Sequence, residues 1–444
     1  MKIELKEHFT YKKLIKFTLP SIFMMIFTSI YGVVDGFFVS NYVGANAFAS
    51  VNLIMPVIIL LSAVGFMVGT GGNALVSMIL GQQDEKRASE VFSMLIYLLI
   101  IVGITVSIVM AIMMPGVARL LGATDEMMSD CVIYGRISMV SLTFFMLQTA
   151  FQSLMITAAR PNFGLYITVV AGVTNMVLDM VFVGILGLGV PGAAWATVSS
   201  EIVGGVTPVI YFLMPNKSKL HLVRTGFRLR PILKALSNGA SEFMTIISSS
   251  FVNMLYNLQL IRIVGEKGVA AFGVITYVNF IFVGILFGYA FGSSSIVSYH
   301  YGSENYKELQ NLFSKSLRII AVASIISFAS AQILATTLVR IFFGYNVELM
   351  EMTIKGFRLF SFSYLILGFN GYASSLFTAL NNGKVSATIA FGRTLVFQCL
   401  SILILPQIFG LNGVFGAVIS AELLSVVVSI YFIRKYRYEY KYYI

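Results

Sequence analysis

Charge is what this sequence has least of. Only 11% of its 444 residues are Asp, Glu, Lys or Arg, while 58% are hydrophobic. Soluble proteins carry about 25% charged residues, so a water-soluble fold is excluded and a polytopic helical membrane protein is indicated. Cysteine is almost absent as well. Cys131 and Cys399 fall in or beside different apolar runs, and no disulfide framework follows from them. No set of His, Cys and Glu has zinc spacing, and no G-x-x-x-x-G-K-S/T stretch occurs, which excludes P-loop nucleotide hydrolysis. The loops are too short to hold a soluble catalytic domain. These absences leave a membrane protein that is not an enzyme and needs no cofactor.

About twelve apolar stretches of roughly 20 residues or more are long enough to span a bilayer. They fall near residues 14–40, 50–79, 90–114, 131–158, 163–186, 191–214, 236–261, 269–299, 311–339, 352–380, 386–409 and 412–433. The first is too long for a signal-peptide core and has no small-residue cleavage site behind it, so it reads as a retained span. The net charge of +11 is a topology signal and not a nucleic-acid footprint. Lysine and arginine crowd residues 2–16, Lys86 and Arg87, residues 217–234, Lys307 to Arg318 and Arg434 to Lys441. The alternate loops near 41–49, 187–191 and 407–412 carry none. The positive-inside rule then places both termini in the cytoplasm of a multi-pass cell-membrane protein.

The chain repeats itself at a spacing of 221 residues. Val43, Gly44, Ala49, Gly71, Ser77, Gly81, Lys86 and Phe92 recur as Val264, Gly265, Ala270, Gly292, Ser298, Gly302, Lys307 and Phe313. Gly189, Gly192, Ser199 and Glu201 return as Gly410, Gly413, Ser420 and Glu422 in the same register. Each half holds six spans, an even number, so both enter and leave on one side. The expected fold is all-α, with twelve transmembrane helices in two parallel six-helix bundles related by a pseudo-twofold axis. The expected division is an N-lobe at 1–214, a basic linker at 215–234 and a C-lobe at 235–444. Gly284, Gly288 and Gly292, four apart, mark a face of span eight suited to close helix approach.

Against this apolar background Asp35 stands alone in the run Phe17 to Val39. A charge at bilayer depth costs about 2.5–3.5 kcal/mol on insertion scales, which makes such a residue a functional candidate by default. Span five contributes Asn175 and Asp179, four apart on one helical face, and span six contributes Thr197. The predicted topology puts Asp35, Asp179 and Thr197 about 6–11 Å below the outer ends of their helices, at 1.5 Å per residue. Asn175 lies one turn deeper. Two carboxylates, an amide oxygen and a hydroxyl form an oxygen-only set. Such a set suits a hard cation such as Na⁺, and two adjacent carboxylates can share one proton. The alternative reading is that each group bonds a neighbouring helix. The repeat supplies a control: the positions equivalent to Asp35 and Thr197 hold Tyr256 and Val418, and no carboxylate stands near the equivalent of Asp179. Glu201, one turn from Thr197, is either a site neighbour or a packing residue. Glu242, at the start of span seven, is placed to pair with the basic linker. The 22 methionines and 37 phenylalanines are mainly packing residues, and those lining any cavity suit lipophilic ligands.

Tyr31-Gly32-Val33-Val34-Asp35, Val43-Gly44 before Ala47-Phe48-Ala49, Asn175-Met-Val-Leu-Asp179 and Gly192-Ala-Ala-Trp-Ala-Thr197 resemble the multidrug and toxic compound extrusion (MATE) family, in its prokaryotic DinF-type branch. The resemblance spans the whole chain. It implies a secondary antiporter that exports lipophilic or cationic organic compounds in exchange for H⁺ or Na⁺, acting as a monomer. It also implies that Asp35, Asn175, Asp179 and Thr197 bind the coupling ion, with Tyr31 and Tyr134 close by. Tyr256 is a further candidate neighbour. One departure stands out: the NorM-type branch carries an acidic residue within its seventh span, and Phe243 to Leu260 has none. A lipid-linked oligosaccharide flippase of the same superfamily is the alternative. Such proteins usually have arginine-rich cavities, and here only Arg136, Arg262 and Arg358 qualify.

Overall fold

A computed structural model describes residues 3–343 and 346–443, and within them the side chains of all but residues 31–33, 36–37, 40–41 and 45. The described residues are helical throughout and form no strand. Six helices fill the first half: α1 (Tyr11–Phe38), α2 (Ala45–Gly81), α3 (Glu85–Leu120), α4 (Asp125–Thr157), α5 (Pro161–Asp179) and α6 (Gly189–Leu213). The second half holds α7 (Leu229–Val264), α8 (Glu266–Gly302), α9 (Tyr306–Phe343), α10 (Val347–Phe360), α11 (Tyr364–Ala379), α12 (Gly383–Phe391) and α13 (Phe397–Tyr440). Among the described residues nine helical segments are long and apolar enough to cross a membrane, the last running from Gly383 to Tyr440. Gly410, at φ 56° and ψ −132°, breaks that last segment into two. With α7 and the α10–α11 pair, joined by a short 3-10 turn, the expected twelve are accounted for.

The repeat is written into the backbone. Gly44 and Gly265 both have positive φ (114° and 77°), as do Gly189 and Gly410 (62° and 56°) and Gln83 and Glu304 (64° and 55°). Each pair is 221 residues apart. The four glycines recur because a side chain at positive φ is strained, so the turns after α1 and α7 and those opening the sixth and twelfth spans need glycine. The caps repeat too. Asp84 accepts the Arg87 N–H at 3.0 Å to start α3, and Asn305 accepts the Glu308 N–H at 3.2 Å to start α9.

The chain divides into two compact units, one formed mainly by Ile26–Gly239 and the other by Lys6–Met25 with Ala240–Ile444. Two of the three dividing points fall inside helices, within α1 and within α7, and the third lies between Leu5 and Lys6, ahead of α1. Lipid is as apolar as leucine, so close packing must hold the helices together. In the first unit Gly65 and Gly69 of α2 let it lie against α4 at Met146 and Ala150, and Gly204 and Gly205 bring α6 onto α4 at Phe144 and Gln148. Phe92, Phe151 and Phe212 form an aromatic cluster with centroids 4.8–6.3 Å apart. In the second unit Tyr256, Phe272, Phe282, Phe357 and Tyr364 belong to one buried core. Of the three expected glycines in span eight, Gly288 and Gly292 receive Ile22, Ser21 and Thr18 of α1.

Candidate functional site

The first unit carries its ionisable groups inside the bundle. Asp35 lies on α1 at 7% exposure, Asp179 on α5 is fully buried, and Asn175 is 2% exposed. Each carboxylate stands where its helix changes winding. α1 passes into a π turn at Val39–Val43, and α5 passes into another at Met180–Ile185 directly after Asp179. Such turns recur at functional sites because they free backbone groups and redirect side chains. The two π turns pack on each other and on α6, the helix that carries Thr197.

The carboxyl groups of Asp35 and Asp179 are neighbours within hydrogen-bonding reach. Two carboxylates offer only acceptors, so the pair needs a proton between them or a cation beside them. No partner in the described protein supplies either. Asp35 Oδ1, both oxygens of Asp179, and both Oδ1 and Nδ2 of Asn175 are buried without a hydrogen-bond partner. An unsatisfied buried polar atom costs about 1–3 kcal/mol, and here such atoms are gathered on three residues of one unit. Helix-to-helix bonding among the described residues therefore does not account for these three side chains. Thr197 is half-buried on α6, and its carbonyl accepts the Ser200 hydroxyl at 3.1 Å.

Two further residues join them. Glu201, 8% exposed, lies beside Ser141 of α4 and close enough to Asp35 to feel its charge. Tyr134 of α4 is buried and close enough to Asp35, Glu201 and Asp179 to feel their charges, with its hydroxyl 3.8 Å from the Met55 sulfur. The Tyr31 side chain lies outside the described residues. Tyr256 belongs to the second unit, where its hydroxyl donates to Gln398 Oε1 at 2.9 Å and its ring stacks on Phe272 at 4.6 Å. A tyrosine at the position equivalent to Asp35 is thus a satisfied core residue.

The second unit has its own buried charges, and they are arranged differently. Arg393 Nη1 meets Glu422 Oε1 at 3.4 Å, with side-chain exposures of 8% and 3%. Asn370 Nδ2 donates to Glu422 Oε2 at 2.7 Å, Ser429 donates to Asn370 Oδ1 at 2.9 Å, and the Phe287 ring lies 5.0 Å from the guanidinium. Glu242, half-buried, is close enough to Arg393 to feel its charge. Glu201 and Glu422 are repeat partners, but the positions equivalent to Arg393 and Asn370 hold Gly172 and Thr149. Position alone hides this difference, because the arginine reaches Glu422 from 29 residues away. Among the described residues no three His, Cys, Asp or Glu side chains are grouped to hold a metal ion. An oxygen set that includes an amide and a hydroxyl is not of that kind.

Long apolar helices in two repeats, with carboxylates buried inside the first without a partner among the described residues, are the mark of a polytopic membrane transporter. The family model MatE matches residues 20–181 and 243–403, one range in each repeat. The chain belongs to this family, whose members are transporters and not enzymes. It is 21% identical over 435 residues to the multidrug export protein MepA of Staphylococcus haemolyticus, covering 97% of this chain and 95% of that one. MepA of Staphylococcus saprophyticus is 23% identical over 415 residues, with 91% and 88% covered. Among solved structures, MATE in complex with MaL6 superposes with a TM-score of 0.93 at 22% identity, covering 98% of both chains. At these identities the structural likeness shows the fold alone.

Proposed function

We propose that this protein is a cation-coupled antiporter of the cell membrane, with both termini cytoplasmic, that exports lipophilic and often cationic organic compounds. The observation that carries this reading is the group of buried, partnerless polar atoms on Asp35, Asn175 and Asp179. Oxygen ligands of this kind suit a hard cation, and a carboxyl pair without donors suits a proton. Thr197 would complete the set from α6, and Glu201 and Tyr134 would bound it. The relatives named as multidrug export proteins over nearly the full chain support an organic substrate. Among the described residues Asp35, Asp179 and Glu201 pair with no cation, whereas Glu422 pairs with Arg393, and this contrast supports coupling through the N-terminal half.

Transport follows from competition for the same charges. With the ion bound, Asp35 and Asp179 are neutralised and no longer hold a cationic substrate. When the ion leaves, the carboxylates attract the next one. The ion is cargo, and its gradient supplies the work. Asp35→Asn, reconstituted in proteoliposomes with an imposed Na⁺ or H⁺ gradient, is expected to insert normally and to lose gradient-driven ethidium transport. Wild-type dye flux in that variant would refute the coupling role.

A further inference from the structure

The segment preceding α1 is fastened to the opening turns of α9 within the second unit. Glu308, 6% exposed, receives a donor on each oxygen: the Phe9 N–H on Oε1 at 2.9 Å and His8 Nδ1 on Oε2 at 2.6 Å. The Phe9 carbonyl accepts Asn311 Nδ2 at 3.1 Å and Lys315 Nζ at 2.7 Å. Arg318 then donates to the Tyr11 hydroxyl at 3.1 Å. Positions 308, 311, 315 and 318 lie on one face of α9, so a single helix surface holds the segment. Phe9 is fully buried, with its ring 6.0 Å from Phe17 and 6.4 Å from His300.

The repeat shows what is special here. The segment before α7 runs along α3 in the same manner, inside the first unit. His221 and Val223 donate their N–H groups to Ser89 and Ser93 at 3.4 and 2.8 Å, and Tyr97 donates to the Val223 carbonyl at 3.2 Å. The backbone of that strap is held by neutral hydroxyls, and its side chains add two solvent-facing ion pairs to α3, Lys219 with Glu85 at 2.7 Å and Arg228 with Glu90 at 3.3 Å, of a kind that contributes little. The strap before α1 is held by a buried carboxylate, and the position equivalent to Glu308 is Arg87. A hydrogen bond to a charged group is worth about twice a neutral one. The strap whose backbone is anchored on a buried carboxylate therefore belongs to α1, the helix that carries Asp35.

Helix α1 is divided between the units, with its residues up to Met25 in the second and those from Ile26 in the first. We propose that Glu308 is a positioning residue for ion coupling: through Phe9 it holds the N-terminal half of α1 on the second unit, so that the helix responds to the ion at Asp35 only beyond Met25. This rests on the coupling role of Asp35. With the strap released, the whole helix would follow the ion, and ion movement would no longer be tied to substrate movement.

The test uses the full chain in proteoliposomes, with nitroxide labels at Lys12→Cys and Lys307→Cys in a Cys131→Ser, Cys399→Ser background. Losing a buried hydrogen bond to a charged group shifts an equilibrium by about tenfold or more. Glu308→Ala should therefore broaden the label distance, cut gradient-driven ethidium transport about tenfold, and speed dissipation of the gradient without dye. Glu308→Gln keeps an acceptor for the Phe9 N–H and should retain most of the coupling. Lys315→Ala removes a bond to the Phe9 carbonyl and should move all three readouts in the same direction, by less. A broadened distance with an unchanged ratio of dye transport to leak would overturn the proposal, as would wild-type behaviour of Glu308→Ala. Should Glu308→Ala fail to fold, wild-type readouts in Lys315→Ala would overturn it equally. If Asp35→Asn abolishes dye transport while the strap variants remain normal, the strap alone is refuted. If Asp35→Asn transports normally, both readings fall.

Discussion

Arg393→Met offers the sharpest test of how the second unit holds its charges. The wild-type cluster contains one cation, Arg393, paired with Glu422 and close enough to Glu242 for its charge to be felt there. Removing the arginine leaves both carboxylates without a counter-charge among apolar helices. Deleting one partner of a buried ion pair costs about 3–5 kcal/mol, and that loss is expected here. Glu422→Gln should be far milder. Gln still offers an oxygen to Asn370, which now donates at 2.7 Å, and Arg393 keeps Glu242. The expected cost is about 1 kcal/mol, the worth of a single hydrogen bond. The double variant should be more stable than Arg393→Met alone, since it removes one of the two stranded carboxylates. Unfolding of the purified protein by a denaturing detergent, followed by circular dichroism, measures all three. Equal losses in the two single variants would refute the role of Glu242 as second counter-charge. A wild-type midpoint for Arg393→Met would refute the cluster itself.

Other outcomes follow from the same geometry. Asp179→Asn should impair gradient-driven dye transport nearly as severely as Asp35→Asn, because each carboxyl is the other's neighbour; normal Na⁺- or pH-dependent transport in that variant would refute a shared site. Gly71→Ala should lower the yield of folded protein, because its Cβ would run into the Ala235 carbonyl and the Gly239 nitrogen. Gly273→Ala, whose Cβ meets nothing within 4 Å, should leave yield unchanged or raise it, since alanine favours a helix by up to about 1 kcal/mol. Gel filtration of membrane extracts compares the two.

The helices were legible in the sequence because apolar length is a direct consequence of bilayer thickness. The repeat was legible for a reason that appears only in the backbone: Gly44, Gly189, Gly265 and Gly410 recur because their φ angles are positive. Depth and spacing suggested the oxygen set, and within it the carboxyl groups of Asp35 and Asp179 are neighbours. The partners of Glu422 and Glu242 were not legible. Glu242 read as a linker partner because the basic linker is close in sequence, whereas Arg393, whose charge it feels, is 151 residues away. The strap before α1 was equally hidden. Its anchor, Glu308, looks like an ordinary first-turn acid of α9, and nothing local marks it as the acceptor for a backbone group some 300 residues away.

The two halves therefore use one scaffold for opposite purposes. Glu201 and Glu422 occupy the same position in the repeat, on helices with the same glycine-bounded start. Around Glu422 the chain supplies an arginine, an amide and a hydroxyl-linked network, and the charge is compensated within the protein. Around Glu201 it supplies Gly172 and Thr149 where those partners would be, and adds Asp35 and Asp179 where the other half has Tyr256 and Leu400. Negative charge is thus concentrated in one half and neutralised in the other. A compensated cluster has no need of an ion from solution, and an uncompensated one does. The proposal of coupling through the N-terminal half rests on this difference in compensation more than on the presence of acidic residues.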